Sequence, residues 1–396
     1  MANSTQVQAS DISQVVQSKM DMNLISNTCP IMPMMGLMFA LSGVKKNGKG
    51  IGIPEDGVVT GAKLSRAERN KIVESHTYEP SIDVDIDYTA DGKDMAWNDT
   101  MPTRSNWTTT GPLSHVRKPR FRRSNRIDPI FVSLREIEQI KNAMKSASAR
   151  GNTIALSRIA ADLTDVVAVQ TAKVWENQIK LINSRFWDQG FPADEDQYIW
   201  NRQHSLYSMC KTTGMYGGWD RSQATGAFLQ GNMVTQNMPA DFEYLANYAY
   251  YGAGGPRLQS IGANIDVWAV GDNLFSQFKS QAKARNFNVF DKLEIPGVPT
   301  FGEKNQTIQW GSSWIVYDPS CPSKGINGAT KNVMAGIDSC AMVISFVPGK
   351  IWRVYPVDDE SERQGGRQGL ASQLEVEYGM WLTQPRRCVY FQDIGQ

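Results

Sequence analysis

The sequence has little of what most enzymes and metal proteins are built on. Only three histidines occur, His76, His115 and His204, each standing alone. A histidine-based metal centre or a His-dependent catalytic triad therefore has no local pattern behind it. The five cysteines (Cys29, Cys210, Cys321, Cys340, Cys388) are odd in number, far apart and form no Cys-x-x-Cys pair. Such a set reads as reduced thiols in a cytosol-made protein, not as a disulfide framework. There is no Gly-x-Ser-x-Gly elbow, no phosphate-cradling Gly-x-x-x-x-Gly-Lys-Ser/Thr loop and no strand-linked Gly-x-Gly-x-x-Gly. An excess of one charge is missing too: 41 Lys and Arg stand against 40 Asp and Glu. A dedicated nucleic-acid binder would carry a strong positive excess. The apolar run from Cys29 to Gly43 is interrupted by Pro33 and is too short to span a bilayer. Its methionines suit adaptable packing. The largely polar first 28 residues predict no signal peptide.

What is present is a long chain, 396 residues with 41% hydrophobic residues, enough for two domains or one large elaborated one. From Ser81 the pattern alternates: Ile82, Val84, Ile86 and Tyr88 on one face of a strand, Asp83, Asp85 and Asp87 on the other. The spacing of those aspartates resembles the opening of a calcium loop. Position six is Tyr88 where a glycine is needed, and position twelve is Asp94 where glutamate is usual, so a one-sided strand fits better. The stretch Glu79 to Asp99 holds seven acids against one base, whereas six of the eleven residues Val116 to Arg126 are cationic. Two oppositely charged arms flanking a loop predict a long projecting hairpin, pairing internally or lying on a neighbouring copy. Asp83, Asp85 and Asp87, with Arg117, Arg120, Arg122, Arg123 and Arg126, are the candidate contact residues between subunits. Phosphate contact by the basic cluster is the weaker alternative, since Phe121 alone interleaves it.

The clearest helix is expected over Thr153 to Phe186, where Leu156, Ala160, Leu163, Val167, Thr171, Trp175, Ile179 and Ile182 recur on one stripe. Asn152 can cap its start and Gly190 lies beyond its end. At 1.5 Å per residue it spans roughly 50 Å, the length of a strut. A shorter helical stretch, Leu134 to Ala149, precedes it. Further helices are expected over Asp241 to Tyr251 and Asn273 to Arg285. Strands are expected at Ile265 to Val270, Thr307 to Val316, Cys340 to Phe346, Ile351 to Val357, Leu374 to Leu382 and Cys388 to Phe391, with loops over Cys321 to Lys331 and Asp358 to Gly369. The string Met215 to Ser222 reads as a tight turn: Gly217 and Gly218 make the bend, and Asp220 and Arg221 can hydrogen-bond across it. A catalytic Ser222 would have only Asp220 as a local base. No catalytic, metal or cofactor residue is expected. Glu360, Glu362, Arg363 and Arg367 share a Gly-rich loop that suits solvent or a neighbouring subunit equally.

This order of parts resembles the major capsid proteins of tailed bacteriophages, of the Hong Kong 97 coat type. Those proteins often carry a Tyr-Gly-Gly-Ile-Asp-Arg-Ser run after their spine helix. Here the run is Tyr216 to Ser222, with Trp219 where isoleucine is common. The ending Glu375 to Gly379 through Arg387 to Phe391 is similar to the family's closing strands. The resemblance covers roughly Ser133 to Gln396; over the first 130 residues it rests on architecture alone.

The resemblance implies an α+β fold with an N-terminal arm (1–78), an extended hairpin loop (79–132), a peripheral domain with the spine helix (133–239), an axial domain (240–338) and return strands completing the peripheral domain (339–396). It implies a non-enzymatic coat subunit assembling as pentamers and hexamers into an icosahedral virion head in the host bacterial cytoplasm. Packaged double-stranded DNA would be enclosed without sequence-specific contact. A separate scaffold protein, a portal and a decoration protein would be the partners, with no membrane. An encapsulin-like compartment shell shares the fold, and the large N-terminal extension favours a phage. A soluble α/β enzyme would need clustered titratable residues, and a phage tail protein more continuous strand patterning and no strut helix.

Overall fold

The computed structural model describes residues 46–47, 50–51, 58–60, 81–83, 120–122, 124–133, 142, 146, 149, 153–188, 204–223, 226–252, 258–285, 289–290, 307–347, 349–355 and 369–395. The Met-rich run, nearly all of the stretch Leu134 to Ala149, the caps Asn152 and Gly190, and residues 356–368 lie outside them.

In chain order the strands are β1 (Lys46–Asn47), β2 (Gly50–Ile51), β3 (Val58–Thr60), β4 (Ser81–Asp83), β5 (Arg120–Arg122), β6 (Ser124–Ser133), β7 (Met215–Tyr216), β8 (Trp219–Asp220), β9 (Asn232–Val234), β10 (Val267–Val270), β11 (Val289–Phe290), β12 (Thr307–Trp310), β13 (Ser313–Tyr317), β14 (Asn332–Ile337), β15 (Met342–Phe346), β16 (Arg353–Tyr355), β17 (Gly369–Leu382) and β18 (Val389–Ile394). The helices are α1 (Thr153–Phe186), α2 (Leu206–Met209), α3 (Phe242–Tyr251) and α4 (Asp272–Ala284).

The chain folds as an α+β protein around two larger sheets. One is mixed and seven-stranded, in the order β11-β12-β13-β10-β14-β18-β9, with β10 parallel to β13 and β18 parallel to β9. The other is antiparallel: β17 pairs β16 and β15, β15 pairs β3, and the full ten residues of β6 pair Gly369 to Tyr378 of β17. The segment 339–396 is divided between them, for β15, β16 and β17 build the antiparallel sheet whereas β18 crosses to pair β14.

Period-two alternation sorts the core. In β10, Val267 and Ala269 face one cluster and Trp268 and Val270 the other. In β14, Val333, Ala335 and Ile337 face the first and Met334 the second. The second cluster is roofed by α3 and α4 through Phe242, Leu245, Leu274, Phe275 and Phe278. Asp241 caps α3, its carboxylate accepting from the Tyr244 amide. The first cluster is continuous with the antiparallel sheet, with Trp175, Ile179, Ile182 and Phe186 of α1, and with Trp187 just after it. One helix therefore packs into a core shared by both sheets.

Three expectations change. The strand expected over Thr307 to Val316 is a hairpin of β12 and β13, turned at Gly311 with φ +60°; two apolar strands with a tight link read as one run. The helix expected from Asn273 begins at Asp272, next to Gly271. β14, unforeseen, lies between β10 and β18, and all six of its residues are buried. A strand covered on both faces carries no alternation to betray it.

Pro129 stands in the middle of β6, opposite Gln373. Proline donates no hydrogen bond, and in sheets it occupies positions whose nitrogen faces away from the partner strand.

Candidate functional site

Four arrangements hold the polar side chains that sequence or structure singles out. The first is the charged arm. β4 and β5 pair antiparallel with Ser81 opposite Arg122, Ile82 opposite Phe121 and Asp83 opposite Arg120. The acidic and basic segments thus meet within one chain, as one of the two expected modes has it. Asp85, Asp87, Arg117 and Arg123 lie outside the described residues. Arg126 is used elsewhere: on β6 its guanidinium pairs both carboxylate oxygens of Asp128, at 2.6 and 3.0 Å.

The second is the Tyr216–Ser222 run. Gly217 and Gly218 have φ of +60° and +78°, as a two-residue hairpin link between β7 and β8 demands. Tyr216 is buried, and its hydroxyl donates to the Leu382 carbonyl at 3.0 Å and accepts from the Leu382 amide at 2.8 Å. The end of β17 is bracketed by one side chain.

Of the two residues expected to hydrogen-bond across this turn, Arg221 does so, its Nε donating to the Gly214 carbonyl at 3.2 Å, whereas Asp220 bonds on its own side. Arg221 is 1% exposed and turns inward, its guanidinium donating to the carbonyls of Ser208, Met209, Lys211 and Gly214. It also lies 5.2 Å over the Tyr216 ring. The carbonyls ending α2 have no intrahelical partners, and a planar five-donor fork satisfies several at once. Asp220 accepts from the Ser222 amide at 2.9 Å, and that hydrogen bond holds its carboxyl below the usual range. A carboxylate so stabilised is poorly suited to deprotonate Ser222. These residues build structure. Beside them burial pushes the Cys210 thiol up to about 12, against the nearby Arg221 charge, so it stays protonated.

The third arrangement clips the antiparallel sheet. Glu375 is buried on β17, accepting from Asn125 Nδ2 of β6 at 3.1 Å and from the Tyr355 hydroxyl of β16. Lys350 Nζ lies 3.4 Å from Glu375 Oε1 and 2.8 Å from Glu377 Oε2. Burial pushes the Glu375 carboxyl up, but the hydrogen bonds from Tyr355 and Asn125 and the Lys350 charge outweigh it and hold the group below its ordinary value. The hydrogen bond to Glu377 raises Lys350. Glu375 thereby clips three strands, β6, β16 and β17, together.

The fourth lies at the C-terminal end of α1. Gln178 Nε2 donates to the Leu374 carbonyl of the antiparallel sheet at 3.0 Å, and Trp175 meets Trp352 edge-on at 6.2 Å. Trp352 is buried with φ +45°, an outlying conformation for so bulky a residue, which packing against Trp175 and Phe346 holds in place. Five residues beyond Gln178, Asn183 Nδ2 donates to Asp318 Oδ1 at 2.8 Å and to Ser320 Oγ at 3.0 Å. Asp318 follows β13 and is fully buried; its amide donates to the Val270 carbonyl at 2.9 Å. Burial raises its carboxyl, partly offset by hydrogen bonds from the Ser320 amide and Asn183.

A further network, Arg387 with Asp338 at 2.6 Å and Ser339 with Asp266, ties the start of β10 to the turn before β18. Glu375, Asn183, Asp318 and Asp338 were not singled out by sequence, since their partners are distant in the chain. Among the described residues no group of acidic, Cys and His side chains could hold a metal ion, and no helix is long and apolar enough to cross a membrane.

No family model and no curated protein matches the sequence. Among solved structures the chain is similar to the Cyanophage A-1(L) capsid asymmetric unit, at 12% identity over 83% of this chain and 91% of that one, with a TM-score of 0.44. It is similar to a chain of Gordonia phage Cozz at 9% identity over 82% and 87%, TM-score 0.42. It is similar also to the holo-SrpI encapsulin complex of Synechococcus elongatus at 9% identity over 70% and 76%, TM-score 0.35.

Proposed function

We propose that this chain is the major coat protein of a tailed bacteriophage, a subunit that assembles with copies of itself into a closed icosahedral head around packaged double-stranded DNA. The observation that carries the reading is α1: thirty-four residues, about 50 Å, whose C-terminal turns are hydrogen-bonded to two separate sheets. A shell subunit needs rigid plates held at a fixed angle and arms that overlap neighbours, with surfaces complementary to its own copies. The charged pairing of β4 with β5, feeding through β6 into the antiparallel sheet, suits such an arm. The Tyr216–Ser222 run supports the same reading, because its conspicuous residues are spent on bracing α2 and β17.

In this reading the copies form pentamers and hexamers. A separate scaffold protein, a portal and a decoration protein complete the head. The interior meets DNA without gripping it, which the net charge of +1 suits.

Electron microscopy and sizing chromatography of the full chain, expressed with and without the neighbouring phage genes, test this. Closed icosahedral particles, or rings of five and six, are expected. A monodisperse monomer under every condition overturns the proposal. Closed shells that package a protein cargo and no genome, made from the complete gene set, replace it with the encapsulin-like reading.

A further inference from the structure

We infer that Asn183 and Asp318 form a positioning pair that sets the angle between α1 and the seven-stranded sheet, and through that angle the curvature of the assembled particle. The inference rests on the coat-protein reading and adds to it the residues that control particle geometry.

Two side-chain hydrogen bonds near its C-terminal end join α1 to the sheets. Gln178 attaches α1 to the antiparallel sheet, and Asn183, little more than one turn later, attaches it to the seven-stranded sheet. The core contacts beside these two points include the apolar side chains of Trp175, Ile179, Ile182, Phe186 and Trp187. Apolar burial is non-directional, whereas a buried hydrogen bond is directional and expensive to break. The orientation of the helix is therefore held at Gln178 on one side and Asn183 on the other.

The Asn183 side is the more rigidly built. Asn183 is 1% exposed and Asp318 is fully buried. The carboxylate cannot follow the helix, because the Asp318 amide bonds β10 at Val270 and the Ser320 amide bonds Asp318 Oδ1 at 2.8 Å. Ser320 Oγ accepts from the same Asn183 amide, so the turn offers two fixed acceptors to one donor group. Leverage makes this matter. A tilt of about 5° at Asn183 carries the far end of a 50 Å helix through roughly 4 Å, more than one strand residue's rise.

The test compares the full-length wild type with Asn183→Asp, with Asn183→Gln and with the exchange Asn183→Asp/Asp318→Asn. Asn183→Asp sets two carboxylates against each other. Asn183→Gln keeps the amide but lengthens its reach by one methylene, and is the variant expected to fold if the first does not. The double exchange restores a donor facing an acceptor with the polarity reversed. Hydrogen exchange over residues 180–188 reads the joint in the unassembled chain, and electron microscopy reads particle diameter.

Faster exchange is expected in both single variants, together with loss of the single wild-type diameter class, in favour of mixed or open particles. The double exchange is expected to restore both readouts. Single variants that exchange faster yet build particles of wild-type diameter and uniformity overturn the inference, as does a double exchange that restores exchange rates but not the diameter. A wild-type chain that builds no closed particle overturns the coat-protein reading itself, and is told apart from those results by the wild-type sample alone.

Discussion

The hydroxyl of Tyr216 closes both backbone groups of Leu382, 166 residues away, donating to its carbonyl at 3.0 Å and accepting from its amide at 2.8 Å. Tyr216→Phe keeps the ring and strands two buried backbone groups. A loss of roughly 2–4 kcal/mol in unfolding free energy is expected from denaturant titration. A change under about 0.5 kcal/mol would mean that water or a neighbour replaces the hydroxyl at no cost.

Arg221→Lys tests the inward-turned guanidinium. Lysine is a point charge and cannot reach four carbonyls spread over residues 208–214. The expected loss is about 2–4 kcal/mol, on the scale of hydrogen bonds to a charged group. Equal stability of the two proteins in the same titration would show that the charge alone matters there.

Gly336→Ala tests the packing of β14. A β-carbon at this position would lie 2.6 Å from Trp268 Cζ3 and 2.8 Å from both Ile265 Cδ1 and Val389 Cγ1. Overpacking of this kind costs about 1–3 kcal/mol. Calorimetry should find a lower melting temperature; an unchanged one would mean that Trp268 can retreat.

Two buried carboxylates, Asp318 and Glu375, are shifted in opposite senses. Asp318 is held above its unfolded value, near 3.9, so the folded chain keeps a proton there which the unfolded chain has released. Its contribution to stability therefore grows as pH falls through the folded value toward the unfolded one. Glu375 is held below its unfolded value, near 4.3; its contribution is present above that value and is lost as pH falls through the folded one. Unfolding free energies of wild type and Asp318→Asn between about pH 7 and pH 4 should differ increasingly in favour of wild type as the solution is acidified. A difference independent of pH would place the Asp318 carboxyl at its ordinary value.

Much of this organisation was legible in the sequence where the signal is local. α1 begins and ends at the expected residues because an apolar stripe at three- and four-residue steps has few other solutions. The hairpin at Gly217 and Gly218 was legible because only glycine accepts positive φ there cheaply. The strand β14 was not, since Asn332 and Gly336 are loop-like residues and its apolar ones show no alternation. The burial of Arg221 was invisible for a similar reason: an arginine after a tight turn is expected at the surface, and its acceptors are backbone carbonyls, which no residue type advertises. Asn183 and Asp318 lie 135 residues apart and become a pair only once both sheets exist.

Pro129 bears on what the outer border of β6 can pair with. Among the described residues β6 has β17 as its partner strand, and Pro129 removes a donor from the opposite border. A sheet border with an intact row of donors invites another chain to stitch on, and then another, without limit. With that row interrupted, this border is a poor template for another strand, and in the proposed shell contacts through side-chain faces, finite and directional, would be favoured over it. If the chain assembles as proposed, growth that stops by closing on itself would depend on such a refusal at the border as much as on any attraction.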